Sequence, residues 1–225
     1  MNKTSNQPGR SQDHGISESE IITFVVAPAS DHASGLNLQG LVDLINKNSE
    51  FKIRIVFCID YAEARDALIT GKAKIGWLGP NAYHETSRSG RIEQFAIGLP
   101  KGKKTSNYQS VFIVRKDSFI NSLEKIKNSR IAIGNQHSTS GYTVPKHELA
   151  QIGINLDNDN EFQKIIHSAN HDESIRHIIE GTADVAPVSS VNLEENIRSG
   201  NLDPSHILSL IHISEPTRRY AISDG

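Results

Sequence analysis

The chain has 225 residues, and its 24 Lys plus Arg nearly cancel 26 Asp plus Glu, leaving a formal charge of −2. That length accommodates one large domain or two small lobes with a core, and the charge balance lacks the basic excess of a non-specific nucleic-acid binder. No run approaches the roughly 20 apolar residues of a membrane-spanning helix, and the single cysteine, Cys58, excludes an intrachain disulfide or a multi-thiolate metal site.

Residues 1–19 are polar, with no apolar run behind the Lys near the start. They do not read as a secretory signal, and their composition predicts a disordered tail. Ile21–Pro28 predicts a buried strand, and Gly35 to about Lys47 a helix that packs through its leucines and Ile45. Lys52–Ile59 alternates as a strand and carries Cys58, read as a small buried hydrophobe. Asp60 then opens a helix, with Glu63 as its capping partner and Gly71 as its stop. Lys74–Leu78 is a short strand, Gly79-Pro80 starts a helix that Gly90 ends, and Gln94–Leu99 is strand-like. The polar run Lys101–Asn107 is a loop.

After that loop the pattern restarts. Tyr108–Arg115 predicts a strand, Ser122–Lys127 a short helix, and Arg130–Gly134 a strand. Thr143 to about Ile152 is helical, Glu161–His167 strand-like, His171–Gly181 helical, and Asp184–Val188 a last strand. Alternating strands and helices with short connections imply an α/β fold with parallel sheets. The restart implies two lobes, residues 20–107 and 108–190, with residues 191–207 returning to lobe one. Leu208 to Arg218 resembles the in-frame translation of a transposase-end sequencing adapter over eleven consecutive residues. Residues 208–225 are therefore expected to be a non-native tail, which would leave the C-terminal part of lobe one outside the chain.

The chemistry sits at helix starts. Ser138-Thr-Ser-Gly141 follows a strand and leads into a helix. First-turn N–H groups lack helical partners and carry the positive end of the helix dipole, so three hydroxyls beside them suit a tetrahedral oxyanion. Pro145 has no N–H to donate within a continuous helix, so the turn is expected to be a separate nest with regular helix beginning near it. An ordinary N-cap is the blander reading of a lone hydroxyl there. His171 also opens a helix and is a donor. His167 and His171 have the i,i+4 spacing of metal ligands, but no third ligand accompanies them. Tyr61 follows a strand directly, and Tyr108 lies at the junction of the lobes. Either aromatic taken alone reads as core.

Taken together, Asp60-Tyr-Ala62, Ile75-Gly-Trp-Leu-Gly79, Tyr108-Gln-Ser-Val111, Lys116-Asp-Ser118, Ser138-Thr-Ser-Gly141 through Pro145, His171 and Ala183-Asp-Val-Ala186 resemble the PhnD family. These are the phosphonate- and phosphite-binding proteins of ABC importers, with the type 2 periplasmic-binding-protein fold. The resemblance implies a non-catalytic, cofactor-free, extracytoplasmic protein that binds phosphonate, phosphite or phosphate and delivers it to a membrane permease. By motif, the ligand oxygens fall to Tyr61, Tyr108, Ser138, Thr139, Ser140 and His171. Where aminophosphonate binders place an acidic residue after the Asp-Val-Ala strand, this chain has Val191, which favours a ligand without an amine. Two alternatives stand beside this one. The first is a ligand-sensing domain of the same fold in a signalling protein. The second is a hydrolase using Ser138 or Ser140 with His171 and Asp184, although the sequence has no Gly-x-Ser-x-Gly elbow.

Overall fold

Two α/β units, one on an all-parallel sheet and one on a mixed sheet, succeed one another along the chain in a computed structural model that describes residues 21–29, 38–99 and 104–210. The first unit comprises β1 (Ile21–Val26), α1 (Leu38–Asn48), β2 (Lys52–Phe57), α2 (Tyr61–Ile69), β3 (Ile75–Trp77) and α3 (Pro80–Ser87). Its sheet runs β2-β1-β3, all parallel, with Ile21 opposite Lys52 and Phe24 opposite Ile75. The two-residue period of β1 sends Val25 and Ala27 to one face, against Tyr61, Ala64 and Leu68. Phe24 and Val26 go to the other, against Leu38 and Val42 of α1. The side chain of Asp60 accepts from the Glu63 N–H at 2.7 Å, and the Glu63 carboxylate reaches back to the Ile59 N–H at 2.7 Å. The reach is one residue longer than in a standard capping box. Gly71, at φ 76°, ends the helix in the left-handed region that glycine tolerates.

The second unit comprises β4 (Ser110–Arg115), β5 (Arg130–Ile133), α4 (Val144–Gln151), β6 (Lys164–His167), α5 (His171–Ile179), β7 (Val185–Ser189), α6 (Ser190–Arg198) and β8 (Ile207–Ser209). Its sheet runs β6-β5-β7-β4-β8. β5 is parallel to β6 and β7, whereas β4 is antiparallel to β7 and β8. Phe112, Val114, Ile131 and Ile133 face Leu149 and Leu156 on one side, while Val111, Ile113 and Val188 face Ile175 and Ile178 on the other.

Four expectations need correction. Residues 191–207 do not return to the first unit. α6 and β8 belong to the second, where Leu193, Leu202 and Ile207 join the Val111–Ile113 core. The helix escaped notice although Leu193 and Ile197 stand one turn apart ahead of Gly200. Leu208 and Ser209, placed in the tail, pair with Val114 and Ile113, and Leu208 and Leu210 pack against the Phe112 core. Gln94–Leu99 alternates like a strand but forms none, because no neighbouring edge pairs with it among the described residues. Ser122–Lys127 tightens to a 3-10 turn, Leu123–Ile126. The expected tail over residues 1–19 and the end from 211 onward lie outside the described residues.

Candidate functional site

The loops that follow β1, β2, β3, β5, β6 and β7 all open on one cleft, as ligand sites do at the carboxyl ends of strands in parallel sheets. The cleft encloses about 1730 Å³, and Tyr61, Tyr108, Ser138, Thr139, Ser140 and His171 all line it. The six residues named from the sequence are thus brought together.

The hydroxyl turn has the separate geometry expected from Pro145. Thr139–Thr143 forms a π-helical turn, and α4 begins at Val144. In this wider pattern the Thr143 N–H donates to the Ser138 carbonyl at 3.0 Å and the Val144 N–H to that of Thr139. The next donor in the series would be residue 145, and proline has none. Ser110 replaces it, its hydroxyl donating to the Ser140 carbonyl at 2.8 Å. The Ser138 hydroxyl accepts from the Gly141 N–H at 3.1 Å, so it also caps the turn as the blander reading required. Gly141 has no room for a side chain. A Cβ there would sit 2.9 Å from Ser138 Oγ and 3.2 Å from both Gly134 Cα and His171 Cε1.

The Thr139 hydroxyl oxygen accepts from the Asn81 N–H at 2.9 Å, and its own proton can be donated to the Tyr108 oxygen or to an anion. Ser140 Oγ lies 3.1 Å from His171 Nε2. His171 is buried as the first residue of α5, behind an Asn170 cap that accepts from the Glu173 N–H. Burial drives its pKa down to about 4, so the ring is neutral near pH 7. Its Nδ1 has no hydrogen-bond partner among the described residues. Burial also raises the Tyr61 phenol against the opposing pull of the Ser138 side chain. It raises Tyr108 in the same way, against Thr139 and Ser140. Both phenols are therefore neutral donors at physiological pH. Around the hydroxyl turn these six residues offer an anion hydroxyls, amides and an uncharged imidazole, while the cations Lys74, Arg91 and Arg198 line the wider cleft.

Several further residues close the cleft from the first unit. Ala29, just past β1, presents its carbonyl to the His171 N–H and the Asn192 side-chain amide, each at 3.3 Å. Asn81 and Glu85 of α3 reach Thr139 and His137. Sequence reasoning missed these residues because their partners are more than fifty positions away and carry no local pattern. The Gly79-Pro80 helix start was the available signal.

The hydrolase arrangement does not form. Asp184 accepts from the Arg130 backbone N–H and Nε, at 2.8 and 3.0 Å, and is held below the usual carboxylate range chiefly by that guanidinium. It makes no bond to His171, whose Nδ1 lacks the orienting acid that a triad requires. Among the described residues no group of three or more His, Cys, Asp or Glu side chains stands where it could hold a metal. His167 ends β6 while His171 begins α5, so the pair does not share a helix face. No helix among the described residues is long and apolar enough to cross a membrane.

The sequence family described as the periplasmic substrate-binding protein of phosphonate ABC transporters matches residues 24–223. A probable ABC transporter phosphite-binding protein of Prochlorococcus marinus is 26% identical over 69% of the chain and 53% of its own length. A phosphate-import protein of Mycolicibacterium smegmatis is 24% identical over 84% of the chain and 61% of its own length. The chain thus spans between half and two thirds of these curated relatives. Among solved structures, a binding component of a Pseudomonas aeruginosa phosphonate transporter superposes with a TM-score of 0.71 at 21% identity, over 85% of this chain and 64% of that one. A Prochlorococcus marinus protein solved in complex with methylphosphonate gives 0.70 at 21% identity, over 84% and 71%. These likenesses assign the fold to the type 2 periplasmic-binding-protein class. Two successive α/β units, the hydroxyl turn and the family match over residues 24–223 lead to one conclusion: the chain belongs to the family of periplasmic substrate-binding proteins of phosphonate ABC transporters.

Proposed function

We propose that this protein captures a small phosphorus oxyanion (phosphonate, phosphite or phosphate) outside the cytoplasm, between two lobes, for delivery to the membrane permease of an ABC importer. The observation that carries the reading is the convergence of uncharged donors in one cleft. The hydroxyls of Ser138, Thr139 and Ser140, the neutral Tyr61 and Tyr108 phenols and the neutral His171 ring all line it. The names of the relatives, one phosphite-binding and one phosphate-importing, agree with this ligand class.

The lobes are the two sheet-centred units. The first ends near Asn107, and the second runs from Tyr108 through α6 and β8. Val191 and Asn192, which line the cleft directly after β7, offer no charge to a ligand amine, and the carboxylates that line it, Glu194 and Glu195, stand further along α6, so the preferred ligand is one without an amine. With a net charge of only −2, affinity rests on local donors rather than on a global field.

Each hydroxyl bond to a charged oxygen contributes about 1.5–3 kcal/mol. Thr139→Ala should weaken binding by roughly one to two orders of magnitude, since each 1.4 kcal/mol is tenfold. Calorimetric titration with phosphite, phosphate, methylphosphonate and 2-aminoethylphosphonate tests this directly. Unchanged affinity in Thr139→Ala, or a preference for the aminophosphonate, would overturn the assignment.

A further inference from the structure

We infer that Glu85 and His137 are positioning residues that hold the cleft shut over the hydroxyl turn and thereby set how long an anion stays bound. The inference rests on the oxyanion reading given above for what the cleft holds. Its structural part stands apart from that reading.

Glu85 belongs to α3 in the first unit, and His137 immediately precedes Ser138 in the second. Their Oε2 and Nδ1 atoms lie 2.6 Å apart, the short separation of a charge-assisted hydrogen bond. Their side chains are 37% and 21% exposed, so water screens the pair only in part. The carboxylate is held in place: Oε1 accepts from Asn81 Nδ2 at 3.0 Å. Asn81 in turn donates its backbone N–H to the Thr139 hydroxyl at 2.9 Å, and its side-chain amide lies 3.4 Å from the His137 carbonyl oxygen. On the other side, the His137 N–H donates to Asn135 Oδ1 at 2.9 Å, and its ring centroid lies 6.3 Å from that of Tyr61. One edge of α3 therefore grips the turn at residues 137 and 139, on either side of Ser138.

These contacts join residues 52 to 58 positions apart, on elements of different units, so they exist only while the two units are together. Opening the cleft breaks the Glu85–His137 hydrogen bond and returns both groups to water. Neither side chain needs to touch the ligand for its loss to speed ligand escape. Thr139 connects the grip to the site, because the hydroxyl that receives the Asn81 N–H lines the cleft and can donate its own proton to an anion there.

The test is a double-mutant cycle with Glu85→Gln, His137→Gln and the double variant, titrated with inorganic phosphite and methylphosphonate, with dissociation followed by stopped flow. Each single change is expected to weaken binding about threefold to tenfold, the effect of losing one partly exposed hydrogen bond to a carboxylate, mainly through faster dissociation. The double variant should be no weaker than the worse single one. Independent, multiplying losses would overturn the coupling, as would unchanged affinities. A second measurement needs no ligand. Spin labels at Arg88→Cys and Gln151→Cys, both exposed positions while Cys58 is buried, report the separation of the units. Glu85→Gln should lengthen that distance in the ligand-free protein, and an unmoved distance would overturn the closure role. A wild-type protein that binds neither anion would defeat the oxyanion reading alone, and the label distance would still decide whether the grip exists.

Discussion

The two units share a construction and differ in how well their apolar residues are covered. In the second, both faces of a five-stranded sheet are packed, and Val111, Ile113, Val114, Ile131 and Ile178 are all 0% exposed. In the first, a three-stranded sheet leaves Phe57, Ile59, Phe95, Ile97 and Leu99 more than half exposed. Both units contribute to the cleft, yet they do so differently. The second supplies the hydroxyl turn and His171 from a closely packed body, while the first supplies Tyr61 and the α3 grip from a body whose core is partly open. Packing is therefore unevenly shared: the second unit carries most of it, and the first meets the hydroxyl turn through the α3 contacts.

The largest expected effect separates the two cores. Ile131→Ala, at a fully buried position between Phe112 and Leu149, should cost about 2–5 kcal/mol in urea denaturation. Phe95→Ser, at a residue 78% exposed, should stay within about 0.5 kcal/mol while reducing the binding of an apolar dye. Equal losses in the two variants would show that the two regions are packed alike.

The same contrast governs what could be read from the sequence. Helix ends with side-chain signals, such as Asp60–Glu63–Gly71, were legible because their partners lie within a turn or two, and the helix that His171 opens was legible too, although its Asn170 cap was not. The hydroxyl turn was legible because Pro145 forbids a continuous helix. Strand pairing was not. Phe95, Ile97 and Leu99 have the alternation of a strand, but alternation only orients side chains, and a second edge must supply the hydrogen bonds. Leu208 illustrates the converse. Its segment reads as an adapter-derived run, yet β4 offers it an edge and the Phe112 cluster accepts its side chain. The α3 contacts to residues 137 and 139 were illegible for the same reason as the pairing, since distance in sequence hides them.

Acid should weaken the second unit through His171. Its folded pKa is about 4 because burial disfavours the charged ring, against roughly 6.5 in an unfolded chain. Between those values the unfolded state binds a proton that the folded state refuses, so stability falls as pH drops from about 6.5 to 4. The total is at most about 3 kcal/mol, reached near the lower limit. Asp184 acts in a lower window. Its pKa is depressed, mainly by Arg130, so its contribution is present above the unfolded carboxylate range and is lost as pH falls through its folded value. Denaturation curves of wild type and His171→Gln at pH 7.5 and 5 isolate the first effect. The variant should lose most of the pH dependence, and an undiminished slope would show that another group carries it. Ligand affinity should not improve on acidification over this range, because the ring stays neutral.

The smallest effect tests where the second core ends. Leu208 pairs with Val114 across the outermost strand and is only partly buried, with its side chain against the Phe112 cluster. Partial burial removes roughly half the apolar area that a central leucine loses, so Leu208→Ala should cost about 1 kcal/mol, well below the central-core figure. Leu44→Ala, on α1 at 61% exposure, changes the same atoms where water already reaches them and should leave the midpoint unchanged. Comparing the two holds side-chain chemistry constant and varies only the cover. If Leu208→Ala also leaves the midpoint unchanged, the core ends at Ile207 and the last strand contributes backbone pairing alone. If it costs as much as Ile131→Ala, the segment that reads as foreign is integral to the packing of the unit that presents the hydroxyl turn.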